Sequence, residues 1–294
     1  MDLPAIGFIG IGAMGEPMSL AVLRKGYSVT ACAHRNRTPI DRIAAQGVRE
    51  AKDPAAVAEA SDIVVTCVPD APQVEEALFG RRGAVEGARP GTTFVDMSTI
   101  SPLASRGFAE RLRLRGHRFA DAPVSGGPAR AASGTLTIMV GADADVFARI
   151  EPVLQAMGTP HHVGAVGLGE VVKLVNQLII SSVMIADVEA LMFARAAGAE
   201  LGAVRKVLST ATASNYLLEQ WLPKTWFAGT FEGGFALDLL RKDLGAALDA
   251  ARAMKMPMPA SSFAYQLYTL QSAKGDGALD YSAIAKLYEH VAGE

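Results

Sequence analysis

Three polar residues, Lys173, Asn176 and Gln177, interrupt an otherwise apolar run from Val171 to Ile180. At helical spacing they are i, i+3 and i+4, so they share one face. An unpaired buried ammonium is costly, and the usual response is a lowered pKa. A lysine held in this way, one turn from an amide, is a candidate proton donor and acceptor. The same position also suits a helix-end lysine that reaches water past its own apolar stem.

A second cluster is Gly10-Ile11-Gly12-Ala13-Met14-Gly15, which follows the β-like run Ile6–Ile9 and precedes the helical run 17–24. In that context GxGxxG marks a dinucleotide site. The first glycine allows a tight turn, the second lets backbone approach a pyrophosphate, and the third lets helix and strand pack closely. The helix N-terminus then offers N–H groups and a positive dipole end to phosphates. An NAD site usually carries Asp or Glu at the end of the next strand. Here the stretch reads Ala33-His34-Arg35-Asn36-Arg37-Thr38, with no acid before Asp41. Arg35 and Arg37, with Asn36 between them, match a 2′-phosphate, so NADP is expected, with NAD possible. The same arginines also suit solvated loop charges or stacking on adenine. Val68-Pro69 and Ser98-Thr99 end two further β-like runs, where open α/β sheets bind ligands, and are expected to line the cofactor.

These groups need a frame. Short β-like runs at 6–9, 28–33, 63–68, 92–97, 119–121 and 136–140 alternate with helical ones at 17–24, 101–115 and 143–156, which predicts a parallel sheet with helices on both faces. From about Gly167 only apolar-periodic segments follow, at roughly 168–197, 200–211, 214–222, 237–253, 259–273 and 281–291. The fold class is therefore α/β, with an all-α C-terminal domain joined by a long interdomain helix. The domains are read as 1–164 and 165–294. The formal net charge of -2 in 294 residues gives no electrostatic case for nucleic acid or an anionic membrane. The arginines between 106 and 118 read as the wet face of one helix. The two cysteines form no disulfide or metal-ligand pattern, so no metal is expected and a reducing, cytoplasmic setting is. No leader is read before the first strand. The longest apolar stretches carry Lys, Asn, Asp or Glu, so no membrane span is read.

Four separated segments together resemble the β-hydroxyacid dehydrogenases. They are Gly10 to Met18; Asp121-Ala122-Pro123-Val124-Ser125-Gly126-Gly127 continuing to Gly134–Gly141; Gly167 to Gln177; and Lys242-Asp243-Leu244 with Asp249. Order, spacing and length all fit, so the resemblance covers essentially the whole chain. It implies an N-terminal Rossmann domain, a doubly wound sheet, and a helical domain for substrate and oligomerisation. It also implies an active site in the cleft between them, and reversible hydride transfer between a nicotinamide and a small hydroxy acid. By that similarity Lys173 is the general acid for carbonyl reduction and the base for alcohol oxidation. Asn176 and Gln177 hold the substrate, Ser125, Gly126 and Gly127 take its carboxylate, and Lys242 lies at the nicotinamide end. On spacing alone Ser125-Gly126-Gly127 also suits an ordinary polar turn. Asp243 suits either a lysine partner or a helix-surface acid.

The Asn176-Gln177 pair replaces the two asparagines of many members and is more similar to the tartronate semialdehyde (2-hydroxy-3-oxopropionate) reductase branch. 3-Hydroxyisobutyrate dehydrogenase and glyoxylate/succinic semialdehyde reductase are the nearest alternatives. A non-catalytic NADP-binding scaffold or sensor is the reading of another class. Imine reduction predicts Asp or Tyr in place of Lys173. Trp221, Trp226, Phe231 and Phe235 flank Gly233-Gly234 and suit either a pocket wall or the helical core. Apolar faces on the long helices predict a homodimer or homotetramer.

Overall fold

A computed structural model of the chain describes residues 3–232 and 234–289. It divides into two compact units, Met1–Lys173 and Leu174–Glu294, so the division falls inside a helix and later than the 164/165 join read from the sequence.

In the first unit nine strands form one sheet: β1 (Ile6–Ile9), β2 (Val29–Cys32), β3 (Arg49–Ala51), β4 (Ile63–Thr66), β5 (Thr93–Asp96), β6 (Arg118–Asp121), β7 (Val124–Ser125), β8 (Leu136–Gly141) and β9 (Gly158–Gly164). Their order is β3-β2-β1-β4-β5-β6-β8-β7, with β9 paired to β8. The first six strands are parallel, and their 3-2-1-4-5-6 order is that of a dinucleotide-binding sheet. Strand side chains alternate between two cores, as a period of two requires. Phe8, Val65, Val95 and Ala120 enter the core under helices α1 (Gly15–Arg24), α2 (Thr38–Ala44), α7 (Gly127–Ser133) and α8 (Ala144–Leu154). Ile9, Val64, Phe94 and Phe119 enter the other, under α3 (Pro54–Glu59), α4 (Ala71–Phe79), α5 (Ala84–Gly87) and α6 (Pro102–Arg113).

The sheet is mixed at one end, where the sequence predicts only parallel pairing: β8 is antiparallel to β6 and β7. The reversal follows Pro123, which has no N–H for a ladder. It also uses Gly126 and Gly127 at φ 135° and 71°, a conformation that favours glycine. The expected arginine face is likewise only partly helical, since Arg115 and Arg118 lie beyond α6. Arg111 lays its guanidinium 3.8 Å over the Phe79 ring.

The second unit comprises most of α9 (Leu168–Ala196), then α10 (Leu201–Leu208), α11 (Leu237–Ala253), α12 (Pro259–Gln271) and short π and 3-10 turns. Gly233, and residues 290 and 291 of the helix expected at 281–291, lie outside the described residues. Met184, Val188, Leu191, Trp226, Leu240, Leu244 and Tyr268 anchor its core. By length and composition alone α9 could cross a membrane. Its buried stripe shows another use: Glu170, Lys173, Gln177 and Ser181 come first, then Met184, Val188 and Leu191, at intervals of three or four residues. The stripe is polar for its first half and apolar for its second.

Asp121, at the end of β6 and fully buried, sets where α9 begins. Its Oδ1 accepts from the N–H of Gly167 at 2.6 Å and its Oδ2 from that of Glu170 at 2.8 Å. Both bonds satisfy N–H groups at a helix start that have no intrahelical partner. A side chain at Gly169 would lie 2.4 Å from the Met139 carbonyl oxygen and 2.8 Å from Asp121 Oδ2, so this close approach requires glycine.

Burial pushes the Asp121 carboxyl up to about 6, against the lowering effect of the Gly167 and Glu170 N–H bonds and with a smaller push from Asp96. The folded state therefore takes up this proton at a higher pH than the unfolded chain. As pH falls from about 6 to about 4, the wild type should gain stability relative to Asp121→Asn, by about 2 kcal/mol. Urea unfolding of both proteins across that range checks this, and a constant difference would refute it.

Candidate active site

The cofactor loop fits a dinucleotide glycine by glycine. Gly10 has φ 93°, and a side chain there would lie 2.2 Å from the Cys67 carbonyl oxygen. A side chain at Gly15 would lie 1.9 Å from the Gly10 carbonyl oxygen, so strand and helix touch there. At Gly12 the same position meets nothing within 4 Å, which leaves backbone open to a ligand. Gly12 and Ala13 are exposed, Met14 half-buried, and Ile11 buried in the core as an anchor for the loop. The loop ends β1 beside β4, where the strand order reverses, which is where such sheets bind ligands. Val68 and Pro69 follow β4 on that side, half-buried and exposed.

The arginines after β2 are not equivalent. Arg37 is held by Glu50 through two bonds of 2.9 and 3.1 Å and by Asp41 at 3.2 Å. Glu50 lies on β3, and nothing local to 34–38 signals it. Arg35 is exposed and makes no hydrogen bond or ion pair among the described residues. The Asn36 side-chain oxygen Oδ1 accepts from the Thr38 N–H at 3.0 Å, at the start of α2.

Ser98 is buried, with its hydroxyl committed inside the unit. It donates to Asp96 Oδ1 at 2.6 Å and accepts from the Val68 N–H at 3.0 Å. Asp96 Oδ1 also accepts from the Thr66 hydroxyl at 2.7 Å. These bonds tie the ends of β4 and β5 together, which makes Ser98 a holder of the Val68 turn; Thr99, next to it, is half-buried. One residue on, the Ile100 N–H donates to Glu170 Oε2 at 3.1 Å, and Glu170 is fully buried. Neither Asp121 nor Glu170 stood out as functional in the sequence. The signal was a carboxylate inside an apolar run, flanked by Ala120 and Ala122 in one case and one helical turn before Lys173 in the other.

Lys173 is buried at 7% exposure, on the polar half of the α9 stripe. Ser125, Gly126 and Gly127 are half-buried where the chain leaves β7. A side chain at Gly127 would meet nothing within 4 Å, so backbone is open there too.

In the helical unit, side chains run from α9 to α11. Asn176 Nδ2 donates to Gln177 Oε1 at 2.9 Å, and Gln177 Nε2 donates to Asp243 Oδ2 at 2.7 Å. Lys242 Nζ lies 2.8 Å from Asp243 Oδ1. Asp243 is buried, so it is the lysine partner and not a surface acid. Gln177 is also buried and bonded through both ends of its amide, which suits it to orienting Asn176. The four aromatic residues belong to the helical core: Trp226 is buried in it, and Trp221, Phe231 and Phe235 pack against it. Burial raises the Cys32 thiol to about 11 and the Cys67 thiol to about 12, so neither is a nucleophile near neutral pH. Among the described residues no group of His, Cys, Asp and Glu side chains could hold a metal.

Residues 5–172 match the model of the NAD-binding domain of 6-phosphogluconate dehydrogenase. Residues 167–288 match that of the NAD-binding domain of NADP-dependent 3-hydroxyisobutyrate dehydrogenase. The chain is 38% identical over 289 residues to 2-(hydroxymethyl)glutarate dehydrogenase of Eubacterium barkeri, covering 98% of this chain and 96% of that one. It is also 38% identical over 289 residues to 2-hydroxy-3-oxopropionate reductase of Escherichia coli strain K12, covering 98% of each. Among solved structures, 3-hydroxyisobutyrate dehydrogenase of Mycobacterium tuberculosis with L-serine superposes with a TM-score of 0.90 at 31% identity, over 98% of this chain and all of the other. The glycine loop, the strand order and full-length relatives that act on CH–OH groups lead to one conclusion: the chain belongs to the β-hydroxyacid dehydrogenase family of NAD(P)-dependent oxidoreductases.

Proposed function

We propose that this enzyme reduces a small semialdehyde acid, with the carbonyl one carbon away from the carboxylate-bearing carbon, and that tartronate semialdehyde (2-hydroxy-3-oxopropionate) is its substrate. The observation that carries the reading is Lys173, a buried ammonium one helical turn from an amide, in an enzyme family that acts on CH–OH groups. The Asn176-Gln177 pair and the Escherichia coli relative favour tartronate semialdehyde. A 2-(hydroxymethyl)glutarate-type substrate is the second reading, favoured by the Eubacterium relative at equal identity, and it shares the β-placed CH–OH.

The bound nicotinamide supplies the hydride acceptor or donor. Gly10, Ile11, Gly12, Ala13 and Met14 hold its pyrophosphate, with Val68, Pro69 and Thr99 beside it and Lys242 at the nicotinamide end. Lys173 gives its Nζ proton to the carbonyl oxygen as charge develops there and takes it back in the oxidation direction. Asn176, oriented by Gln177, holds the substrate hydroxyl. The Ser125 hydroxyl and the Gly126-Gly127 backbone take the carboxylate. Arg35 reads a 2′-phosphate, which makes NADP the preferred cofactor; the lack of an acid at the end of β2 supports this, while Arg37 is engaged by Glu50. The working form is a homodimer or homotetramer in the cytoplasm. Exposed Val171, Val175, Ile179 and Phe193 along α9 support association, and the unpaired cysteines support the compartment.

Nicotinamide absorbance with a panel of tartronate, methylmalonate and succinate semialdehydes and 2-formylglutarate, the aldehyde that corresponds to 2-(hydroxymethyl)glutarate, tests the substrate. Tartronate semialdehyde should turn over fastest, and Lys173→Ala should lower kcat by about 100-fold or more with NADPH binding unchanged. A variant as active as the wild type would remove Lys173 from the chemistry. Arg35→Ser should weaken NADPH binding about tenfold and leave NADH nearly unchanged, measured by nicotinamide fluorescence. Equal effects on both cofactors would overturn the 2′-phosphate role. Light scattering should give a mass at least twice that of one chain, and Phe193→Glu should lower it; a monomeric wild type would refute association.

A further inference from the structure

We infer that Glu170 and Asp121 are positioning residues for Lys173, together fixing the first turn of α9 to the two loops that carry the nucleotide unit's other proposed ligand groups. The inference rests on the assignment of proton transfer to Lys173. Glu170 lies i−3 to Lys173, so the two share a helix face one turn apart. Its Oε2 accepts from the N–H of Ile100, which directly follows Ser98-Thr99. Asp121 opens the segment that leads to Ser125-Gly126-Gly127, and it holds the N–H of Gly167 and of Glu170 itself. Two buried carboxylates thus bind three backbone N–H groups, two on the helix start and one on the loop after β5. The lysine-bearing turn, the Ser98-Thr99 end and the Ser125-Gly127 segment cannot shift independently while these bonds stand.

Neither acid needs to touch substrate for this. Burying a carboxylate is costly, and both are fully buried. A neutral Asn or Ser cap would hold a helix start at lower cost. What a carboxylate adds at Asp121 is two acceptor oxygens for two donors at once, at 2.6 and 2.8 Å, in charge-assisted bonds that fix direction as well as distance. Gly169 leaves no slack beneath, since a side chain there would strike both the Met139 carbonyl and Asp121. A proton donor misplaced by about 1 Å loses on the order of 100-fold in rate, so the hold on this turn bears directly on turnover.

The test compares Glu170→Met, which keeps the volume and removes the acceptor, with Glu170→Gln, whose side-chain oxygen still accepts from Ile100. Glu170→Met should lower kcat by about 10- to 100-fold with NADPH affinity unchanged, and Glu170→Gln should keep kcat within about threefold. Asp121→Asn, left with one acceptor for two donors, should behave like Glu170→Met and asks the same question if that variant fails to fold. A second readout needs no turnover: the pH dependence of Lys173 acetylation by acetic anhydride, followed by peptide mass spectrometry. Its midpoint should shift further in Glu170→Met than in Glu170→Gln, because both lose the carboxylate's charge and only Glu170→Met loses the hold on Ile100, and it should shift in Asp121→Asn as well. Loss of thermal stability with kcat unchanged and no larger midpoint shift in Glu170→Met than in Glu170→Gln would reduce both acids to a structural role. Glu170→Gln as impaired as Glu170→Met would also overturn the inference. If the wild type turned over no semialdehyde acid, the functional reading would fail while the labelling still decided the positioning.

Discussion

The bidentate grip of Asp121 on the start of α9 is the interaction on which the proposed chemistry depends. A helix of 29 residues made mostly of aliphatic side chains has no strong local reason to begin at one residue rather than the next. The buried carboxylate supplies that reason by taking two N–H groups that the helix cannot satisfy itself. With the start fixed, helical geometry fixes the rest. Glu170 falls beneath Ile100, Lys173 follows one turn later, and Asn176 and Gln177 one turn after that. One change of register at the cap would rotate every group on this face by about 100°.

The two units use buried polar groups in the same way. In the nucleotide unit Asp96 gathers the hydroxyls of Thr66 and Ser98, and Ser98 in turn holds the turn after β4. In the helical unit Asp243 gathers Lys242 and the Gln177 amide, and Gln177 orients Asn176. Each arrangement is a buried carboxylate surrounded by donors, with a proposed ligand-facing group at the end of the chain of bonds. The charge directs the amide. Gln177 must turn its NH2 to Asp243, so its oxygen is left for Asn176.

Much of this was legible in the sequence. The βα alternation gave five of the six parallel strands, β1, β2, β4, β5 and β6, because each of these is an apolar run with one face for each core. The loss of β-like runs after Gly167 marked the helical unit. The glycine loop was readable because each of its glycines answers a separate steric demand. Strands β3 and β9 were not readable: Arg49–Ala51 is short and β9 carries Pro160 and exposed histidines, so neither shows an apolar pattern. The Arg37–Glu50 pair and the Asp121 cap were invisible for a different reason. Each joins residues far apart in the chain, and no local spacing reports such a bond. Ser98 shows the limit of position alone. Its place at a strand end suggests ligand contact, but does not reveal that its hydroxyl also holds the turn after β4.

The order of the cap and its helix along the chain has a consequence for folding. Asp121 is synthesised before α9, and so is every strand of the sheet, β1 to β9. A helix pays its entropic cost chiefly in forming its first turn, with a nucleation constant of about 10⁻³. When residues 167–170 emerge from the ribosome, the acceptors for that turn are already encoded behind them, on the strand that precedes it. The nucleotide unit therefore acts as a template for the helix that leads out of it, and a chain made from the N-terminus meets its nucleation site in the order that it needs it.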